Sequence, residues 1–174
     1  MRRQGLWRRL DAAARYAVPF GTLVAGLVVL GLNFGLPGQA QLRPVYALAC
    51  VFFWSLYRPS ALPAPAVMAG GVLLDLLGFS PVGLWAVLLL LLHGAVLALR
   101  RRLVQRGFLF TWPVFSGFAA GAFVLAWGAQ SLLGQGMLPL LPVLTQTGFA
   151  VLLYPALAAL FIRVHRGPAA AELA

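Results

Sequence analysis

Lysine is absent from this 174-residue sequence, acidic residues number three, and there is one cysteine. Because Cys50 has no second cysteine to pair with, a small scaffold held by disulfides is excluded. Charged residues make up 9% of the chain, against about 25% in soluble domains, whereas 62% of its residues are apolar. This composition excludes intrinsic disorder, and a soluble globule of this size could not bury so much apolar surface. The sequence therefore predicts a single integral membrane domain.

The net charge of +10 comes from 13 arginines set against Asp11, Asp75 and Glu172. In a soluble protein such an excess would indicate nucleic-acid binding. Here the arginines lie in short clusters between apolar runs, which is how helical membrane proteins encode their orientation. The pattern therefore predicts a lipid bilayer as the surroundings and no nucleic-acid partner.

Six apolar segments are candidates for transmembrane helices, since about 20 residues span the core of a bilayer. The block from 62 to 99 holds no arginine and would be about 57 Å long as one helix, so it must fold back on itself. The turn is predicted at 78–83, where Pro81 suits the first turn of a new helix. The predicted helices cover 17–36, 45–57, 62–79, 81–99, 108–133 and 138–162.

Two features bear on how these helices pack. The second helix, 45–57, is short for a span at about 20 Å. It could extend into its flanks, thin the bilayer locally, or enter and leave on one side. In the first and fifth helices, the spacings Gly31-x-x-x-Gly35 and Gly117-x-x-x-Gly121 permit the close approach of another helix.

The distribution of arginines favours six helices with both termini in the cytoplasm. In that arrangement twelve arginines fall in cytoplasmic segments and Arg43 alone falls outside. The first helix is expected to be retained, because its 20-residue apolar core exceeds the usual 7–15 residues of a signal peptide. The sequence thus predicts an all-α integral membrane fold. It consists of a basic cytoplasmic flank over 1–16, a six-helix domain over 17–163 and a cytoplasmic tail over 164–174.

Motifs of enzymes and nucleotide-binding proteins are missing, including H-E-x-x-H, G-x-S-x-G and the P-loop. A metal site usually needs three or four ligands, and the predicted helices offer only Cys50, Asp75 and His93. We therefore expect no enzymatic activity, no metal and no cofactor. His93, deep in the fourth helix, is expected to make a structural hydrogen bond.

Asp75 is the only acidic residue within the predicted helices. A charged group in hydrocarbon is costly, and such groups are usually functional. Asp75 lies only about 6 Å from the outer end of the third helix, where water and lipid head groups reduce that cost. Three roles remain open for it: a functional group, a cap of the hairpin turn, or an ion pair with Arg43 at a similar height.

Other polar residues are predicted at the same height, in the outer half of the bundle. We expect them to form a polar pocket that opens to the outside and holds a partner segment or a small ligand. The alternative is hydrogen bonding between helices with no ligand. The pocket candidates are Asn33, Arg43, Gln130 and Gln146.

The segment Val45–Ala86 carries a recognisable pattern. It contains Phe52-Phe53-Trp54-Ser55-Leu56-Tyr57-Arg58-Pro59, then Gly70-Gly71-Val72-Leu73-Leu74-Asp75-Leu76-Leu77-Gly78, and then Ser80-Pro81-Val82-Gly83-Leu84-Trp85-Ala86. This segment resembles MreD, the rod shape-determining membrane protein family of bacteria. Outside these roughly 42 residues the similarity lies in size and hydropathy. Met68 departs from the pattern, since family members often carry an aromatic residue there.

The resemblance implies a non-catalytic component of the elongasome in the bacterial inner membrane. Such a protein binds MreC and acts with MreB, RodZ, and RodA with its class-B penicillin-binding protein, helping to regulate peptidoglycan synthesis during cell elongation. The fold it implies is similar to that of the substrate-binding subunits of energy-coupling-factor vitamin transporters. The alternative function is such a subunit, which would capture a vitamin-like solute and need an energising partner.

The resemblance also carries over a set of motif residues as a partner-binding or structural motif. Pro59 and the glycines would shape turns and close contacts. Asp75 would pair or accept hydrogen bonds at the outer rim. Arg58 would hold the inner end of the second helix or meet an acidic partner. The set is Arg58, Pro59, Gly71, Asp75, Gly78 and Gly83.

Overall fold

The structure, a computed structural model, describes residues 18–32, 35, 38–78, 80–134 and 138–170, with side chains as far as residue 163. Within these residues the chain forms helices and no strands, which confirms the predicted all-α class. A short 3-10 helix, Pro59–Ala61, joins the second α-helix to the third. The described α-helices are α1 (Val18–Gly31), α2 (Gln39–Tyr57), α3 (Ala64–Gly78), α4 (Leu84–Gln105), α5 (Phe108–Leu133) and α6 (Leu141–Ala170).

The helices alternate in direction, so their termini meet at two ends of the bundle. At one end, here called the pocket end, Arg43 of α2 donates hydrogen bonds to the carbonyls of Leu30 in α1 and Leu77 in α3. At the opposite end, the arginine end, Arg100 of α4 donates to the carbonyl of Leu56 in α2. Among the arginines whose side chains are described, Arg43 alone lies at the pocket end. The others are Arg58, Arg100, Arg101, Arg102, Arg106 and Arg163.

Three helices, α4, α5 and α6, are long and apolar enough to cross a membrane. The helices α1 and α3 are apolar but shorter. Large apolar side chains also cover the outside of the bundle, and Leu109, Leu132 and Leu152 are 83%, 83% and 74% exposed. A soluble protein would not leave so many such side chains in water. Together these features indicate a membrane protein.

Helix α2 forms the centre of the bundle. It packs against α3, α4, α5 and α6, and its residues from Val45 to Leu56 are nearly all buried. Phe52 of α2 contacts Phe115 of α5 and Tyr154 of α6, with ring centroids 5.2 and 5.8 Å apart. A helix that is apolar all round is one that its neighbours enclose, which explains the aromatic composition of this segment.

Helix α2 also corrects the predicted boundaries. It begins at Gln39, six residues before the predicted start, and its 19 residues are about 28 Å long. Of the three possibilities for this short helix, the structure shows the extension into its N-terminal flank. The extension places Arg43 within the helix, where main-chain carbonyls take up its guanidinium. At the C-terminus, α6 continues to Ala170, into the segment predicted as a tail. The predicted flank over 1–16 lies outside the described residues.

The hairpin predicted between 62 and 99 is present as α3 and α4, the most extensively packed pair among α2 to α6. Gly71 allows this packing, because a Cβ on Gly71 would lie 2.6 Å from the backbone nitrogen of Ala86 and 2.9 Å from the carbonyl carbon of Trp85. The two backbones therefore meet where no side chain fits between them. The spacing at Gly117 and Gly121 has no such role here, since a Cβ on either would meet no described atom within 4 Å.

Candidate functional site

Asp75 joins the end of α3 to the start of α4. Its two carboxylate oxygens accept hydrogen bonds from the backbone N–H groups of Gly83, at 2.8 Å, and Trp85, at 3.0 Å. The first N–H groups of a helix have no partner within that helix, and an anionic acceptor there also interacts favourably with the helix dipole. The side chain is 1% exposed. Of the three roles left open by the sequence, the structure shows the cap of the hairpin turn.

Gly83 provides the backbone geometry that this cap needs. It is the N-cap residue of α4, with φ of 99° in the left-handed region that favours glycine. Gly78 is the last residue of α3, and the Ser80 N–H then donates to the main-chain carbonyl of Asp75. Three of the motif residues therefore build one turn.

The remaining motif residues lie elsewhere in the fold. Gly71 lies one turn before Asp75, at the close approach to α4. Pro59 begins the 3-10 helix at the arginine end, where its fixed φ suits a first helical position. Arg58 ends α2, with its N–H bonded to the carbonyl of Trp54 and its side chain half-buried.

The expected ion pair between Asp75 and Arg43 does not form among the described contacts. Arg43 donates through Nε to the Leu30 carbonyl at 2.9 Å and through Nη1 to the Leu77 carbonyl at 2.5 Å. The last carbonyls of α1 and α3 lack partners within their own helices. They accept the hydrogen bonds of the guanidinium that an ion pair would have given to Asp75. Asp75 likewise accepts hydrogen bonds from N–H groups at the start of α4 that lack partners within their own helix. Both charged side chains are therefore hydrogen-bonded to main-chain groups.

A pocket of about 610 Å³ opens among α2, α3, α4, α5 and α6 at the pocket end. Three of the four predicted pocket residues, Arg43, Gln130 and Gln146, line it together. The fourth, Asn33, lies outside the described residues. The wall also holds residues that the sequence analysis did not predict for the pocket, and all of these are apolar or small except Gln41 and Ser80. They are Ala40, Gln41, Pro44, Leu74, Leu77, Gly78, Ser80, Trp85, Phe123, Ala126, Trp127, Leu138, Pro139, Pro142 and Val143.

A hydrogen bond between helices also occurs at the pocket end, as the alternative interpretation expected. The Thr145 hydroxyl donates to Oε1 of Gln41 at 3.2 Å, linking α6 to α2. The Trp127 indole of α5 donates to the carbonyl of Leu138, in the segment before α6, at 3.0 Å. These bonds rigidify the pocket wall but do not fill the pocket, so a pocket and interhelical hydrogen bonding are present together.

The deep polar group of the bundle is a pair. The Ser55 hydroxyl and Nδ1 of His93 lie 2.7 Å apart, and both residues are buried. This confirms the structural hydrogen bond expected of His93. Its partner was missed because Ser55 stands inside the aromatic run of α2, where nothing in the sequence shows which face meets α4.

The losses caused by removing the two members of this pair are expected to be less than additive. Ser55→Ala or His93→Leu should each lower the free energy of unfolding by about 1–3 kcal/mol, because each leaves a buried polar group without its partner. In the double variant, the loss should be smaller than the sum by about 1 kcal/mol. Unfolding titrations in detergent measure the three variants, and strictly additive losses would contradict the pairing.

Few charged or metal-ligating side chains lie at the pocket end among the described residues. Its ionisable side chains among the described residues are Arg43, which lines the pocket, and Asp75, which is held by two N–H groups. No group of three or more histidine, cysteine or acidic side chains that could hold a metal occurs within the described part of the chain.

No protein-family model, curated protein or solved structure matches the chain.

Proposed function

We propose that this chain is a non-catalytic inner-membrane component of the elongasome, similar to MreD. In this role it binds MreC and helps to regulate peptidoglycan synthesis by RodA and its penicillin-binding protein. The pattern in Val45–Ala86 is the basis of the proposal. The fold would then be similar to that of the substrate-binding subunits of energy-coupling-factor transporters.

The observation that carries the proposal is the way in which the motif residues act together. Gly71, Asp75, Gly78 and Gly83 all contribute to one hairpin, and they use a close backbone approach, a carboxylate cap and a left-handed turn to do so. A closely packed hairpin of this kind suits a scaffold that presents a fixed surface to a partner. It requires no catalytic group, in keeping with a scaffold role.

The proposed orientation places the arginine end in the cytoplasm and the pocket end outside. Six arginines with described side chains lie at the arginine end, against Arg43 at the pocket end. The positive-inside rule relates such an imbalance to cytoplasmic loops. The sequence adds the arginines of 1–16 to the same side if α1 crosses once.

A capture experiment tests the partner. The tagged chain is expressed in a rod-shaped bacterium, solubilised in mild detergent, and its bound proteins are quantified by mass spectrometry. We expect MreC to be enriched with the wild type and with Gly94→Ala, a change in open space on α4. We expect its loss with Gly71→Leu, which disrupts the hairpin. Enrichment no greater than with an unrelated six-helix membrane protein would contradict the proposal.

The pocket favours one alternative, a substrate-binding subunit of a vitamin-type transporter. Its volume of about 610 Å³ lies within the range of about 300–1,000 Å³ that is typical of small-molecule sites. The same capture experiment separates the two functions. A transporter subunit would bring down an ATPase with its membrane coupling protein in place of MreC.

A further inference from the structure

We propose that the pocket binds a small organic carboxylate, with the carboxylate on Arg43 and an aromatic or other apolar body against Trp85, Phe123 and Trp127. This goes beyond the proposed function, since it concerns a ligand of the chain itself and holds whichever protein is the partner. It rests on the charge, the free donors and the wall of the pocket.

The charge of the pocket is positive. Arg43 is the one ionisable side chain among the described lining residues. The nearby segments outside the described residues, 33–34, 36–37, 79 and 135–137, contain no charged residue in the sequence. Asp75 is the acidic residue that lies nearest in the sequence to the lining residues. Its carboxylate is buried and accepts hydrogen bonds from two N–H groups at the start of α4. An anion entering the pocket therefore meets a cation that lacks a carboxylate partner among the described residues.

The Arg43 guanidinium also has N–H groups that are not used by the described hydrogen bonds. Arginine carries five N–H groups in a planar fork. The hydrogen bonds to Leu30 and Leu77 use two of them, so three N–H groups are not used by the described bonds. Those two bonds also hold the guanidinium in place between α1 and α3, which reduces the entropy lost when a ligand binds. Arginine and a carboxylate form strong, often bidentate pairs.

The wall of the same pocket includes three aromatic residues, Trp85, Phe123 and Trp127. Trp85 and Phe123 pack edge to face, with ring centroids 5.9 Å apart. Trp127 is held by its indole bond to Leu138. Gln130 and Gln146 add amide groups at the same site. A few placed polar groups on an apolar wall are typical of sites for small molecules, and the rings favour a planar or apolar ligand body.

The test uses the purified full-length chain in neutral detergent and two probes of the same shape. 4-Nitrobenzoate carries the carboxylate, and 4-nitrobenzamide is its uncharged counterpart. Both quench tryptophan fluorescence at contact, and Trp85 and Trp127 line the pocket. We expect saturable quenching by the carboxylate, with an affinity at least about 10-fold higher than that of the amide, the scale of one hydrogen bond to a charged group. Trp127→Phe should reduce the amplitude of the quenching.

Two variants of the pocket and one control decide the outcome. Arg43→Gln removes the charge. Gln146→Glu adds a negative charge to the wall of the same pocket and leaves the groups that bond Arg43 to α1 and α3 unchanged. Either variant should abolish the preference for the carboxylate, whereas Arg101→Gln, at the arginine end, should retain it. Equal quenching by both probes in the wild type, or an unchanged preference in Gln146→Glu, would overturn the proposal.

Discussion

Replacing Gly71 with alanine should destabilise the bundle by about 3 kcal/mol or more, and Gly71→Leu should prevent it from folding. The added Cβ would lie 2.6 Å from the backbone nitrogen of Ala86 and closer still to its Cα. Overpacking usually costs about 1–3 kcal/mol, because side chains can rotate away. Here the obstacle is backbone, so α3 and α4 must separate along their shared length. Thermal unfolding in detergent, followed by size-exclusion chromatography, measures the loss.

The control for this prediction is Gly94→Ala, on α4 of the same hairpin. A Cβ there meets no described atom within 4 Å. Alanine is a better helix former than glycine by about 1 kcal/mol, so this variant should be neutral or slightly more stable. Equal losses at Gly71 and Gly94 would show that the close backbone approach does not hold the hairpin together.

Asp75→Ala should lower the free energy of unfolding by about 3 kcal/mol. It removes the acceptor of two N–H groups at the buried start of α4, and each hydrogen bond to a charged group contributes about 1.5–3 kcal/mol. Asp75→Asn should cost less, about 2 kcal/mol, because the amide keeps one acceptor and turns an N–H₂ group toward the other donor. Unfolding titrations of the two variants measure both the losses and their order.

Ser80→Ala is the control, since Ser80 lies in the same turn and its side chain has no hydrogen bond among the described contacts. It should change stability by no more than about 0.5 kcal/mol. If Asp75→Ala proves as mild as Ser80→Ala, the carboxylate is not a cap that the fold depends on. If Asp75→Asn is stable but loses the captured partner, Asp75 acts in binding as well.

The pocket was foreseeable because depth in a helix can be read from sequence. Arg43, Gln130 and Gln146 belong to three helices, yet each lies close to a predicted boundary on the same side. Alternating helices must bring such positions to one end, and the structure brings these three to one pocket. The aromatic part of the wall, Trp85 and Phe123, was not foreseeable, since apolar residues line every face of these helices.

The roles of the charged residues were harder to predict. Charge complementarity pointed to an ion pair between Asp75 and Arg43. Instead, unpartnered main-chain carbonyls at helix ends accept hydrogen bonds from Arg43, and main-chain N–H groups at the start of α4 donate to Asp75. The start of α2 was placed too late for a related reason. Hydropathy alone excludes a charged residue such as Arg43 from the apolar helix, so it places the start of α2 after Arg43. In the structure α2 begins earlier, at Gln39, because carbonyls of α1 and α3 accept the guanidinium N–H groups of Arg43.

Glycine spacing was an incomplete guide to close packing. Of the four glycines in the two predicted spacings, only Gly31 lies against another helix among the described residues, where a Cβ would meet the Leu77 side chain at 3.4 Å. The repeat at Gly117 and Gly121 matched a known helix-packing pattern, but both glycines are on the exposed side of α5. The residue at the true backbone contact is Gly71, which the resemblance to MreD singled out and the spacing rule did not. Which glycine meets a neighbour depends on the rotation of each helix, and uniformly apolar helices give little signal of that rotation.

Site-directed labelling tests most directly the central claim, a membrane bundle that turns its pocket outward and its arginines inward. In a chain carrying Cys50→Ala, a cysteine is placed at one of two exposed positions, Val82 in the turn between α3 and α4, or Gln105 at the last residue of α4. Intact bacteria are treated with a maleimide that crosses the outer but not the inner membrane. We expect Val82→Cys to react at once and Gln105→Cys only after the inner membrane is permeabilised. The reverse pattern, or reaction of both in intact cells, would contradict the account.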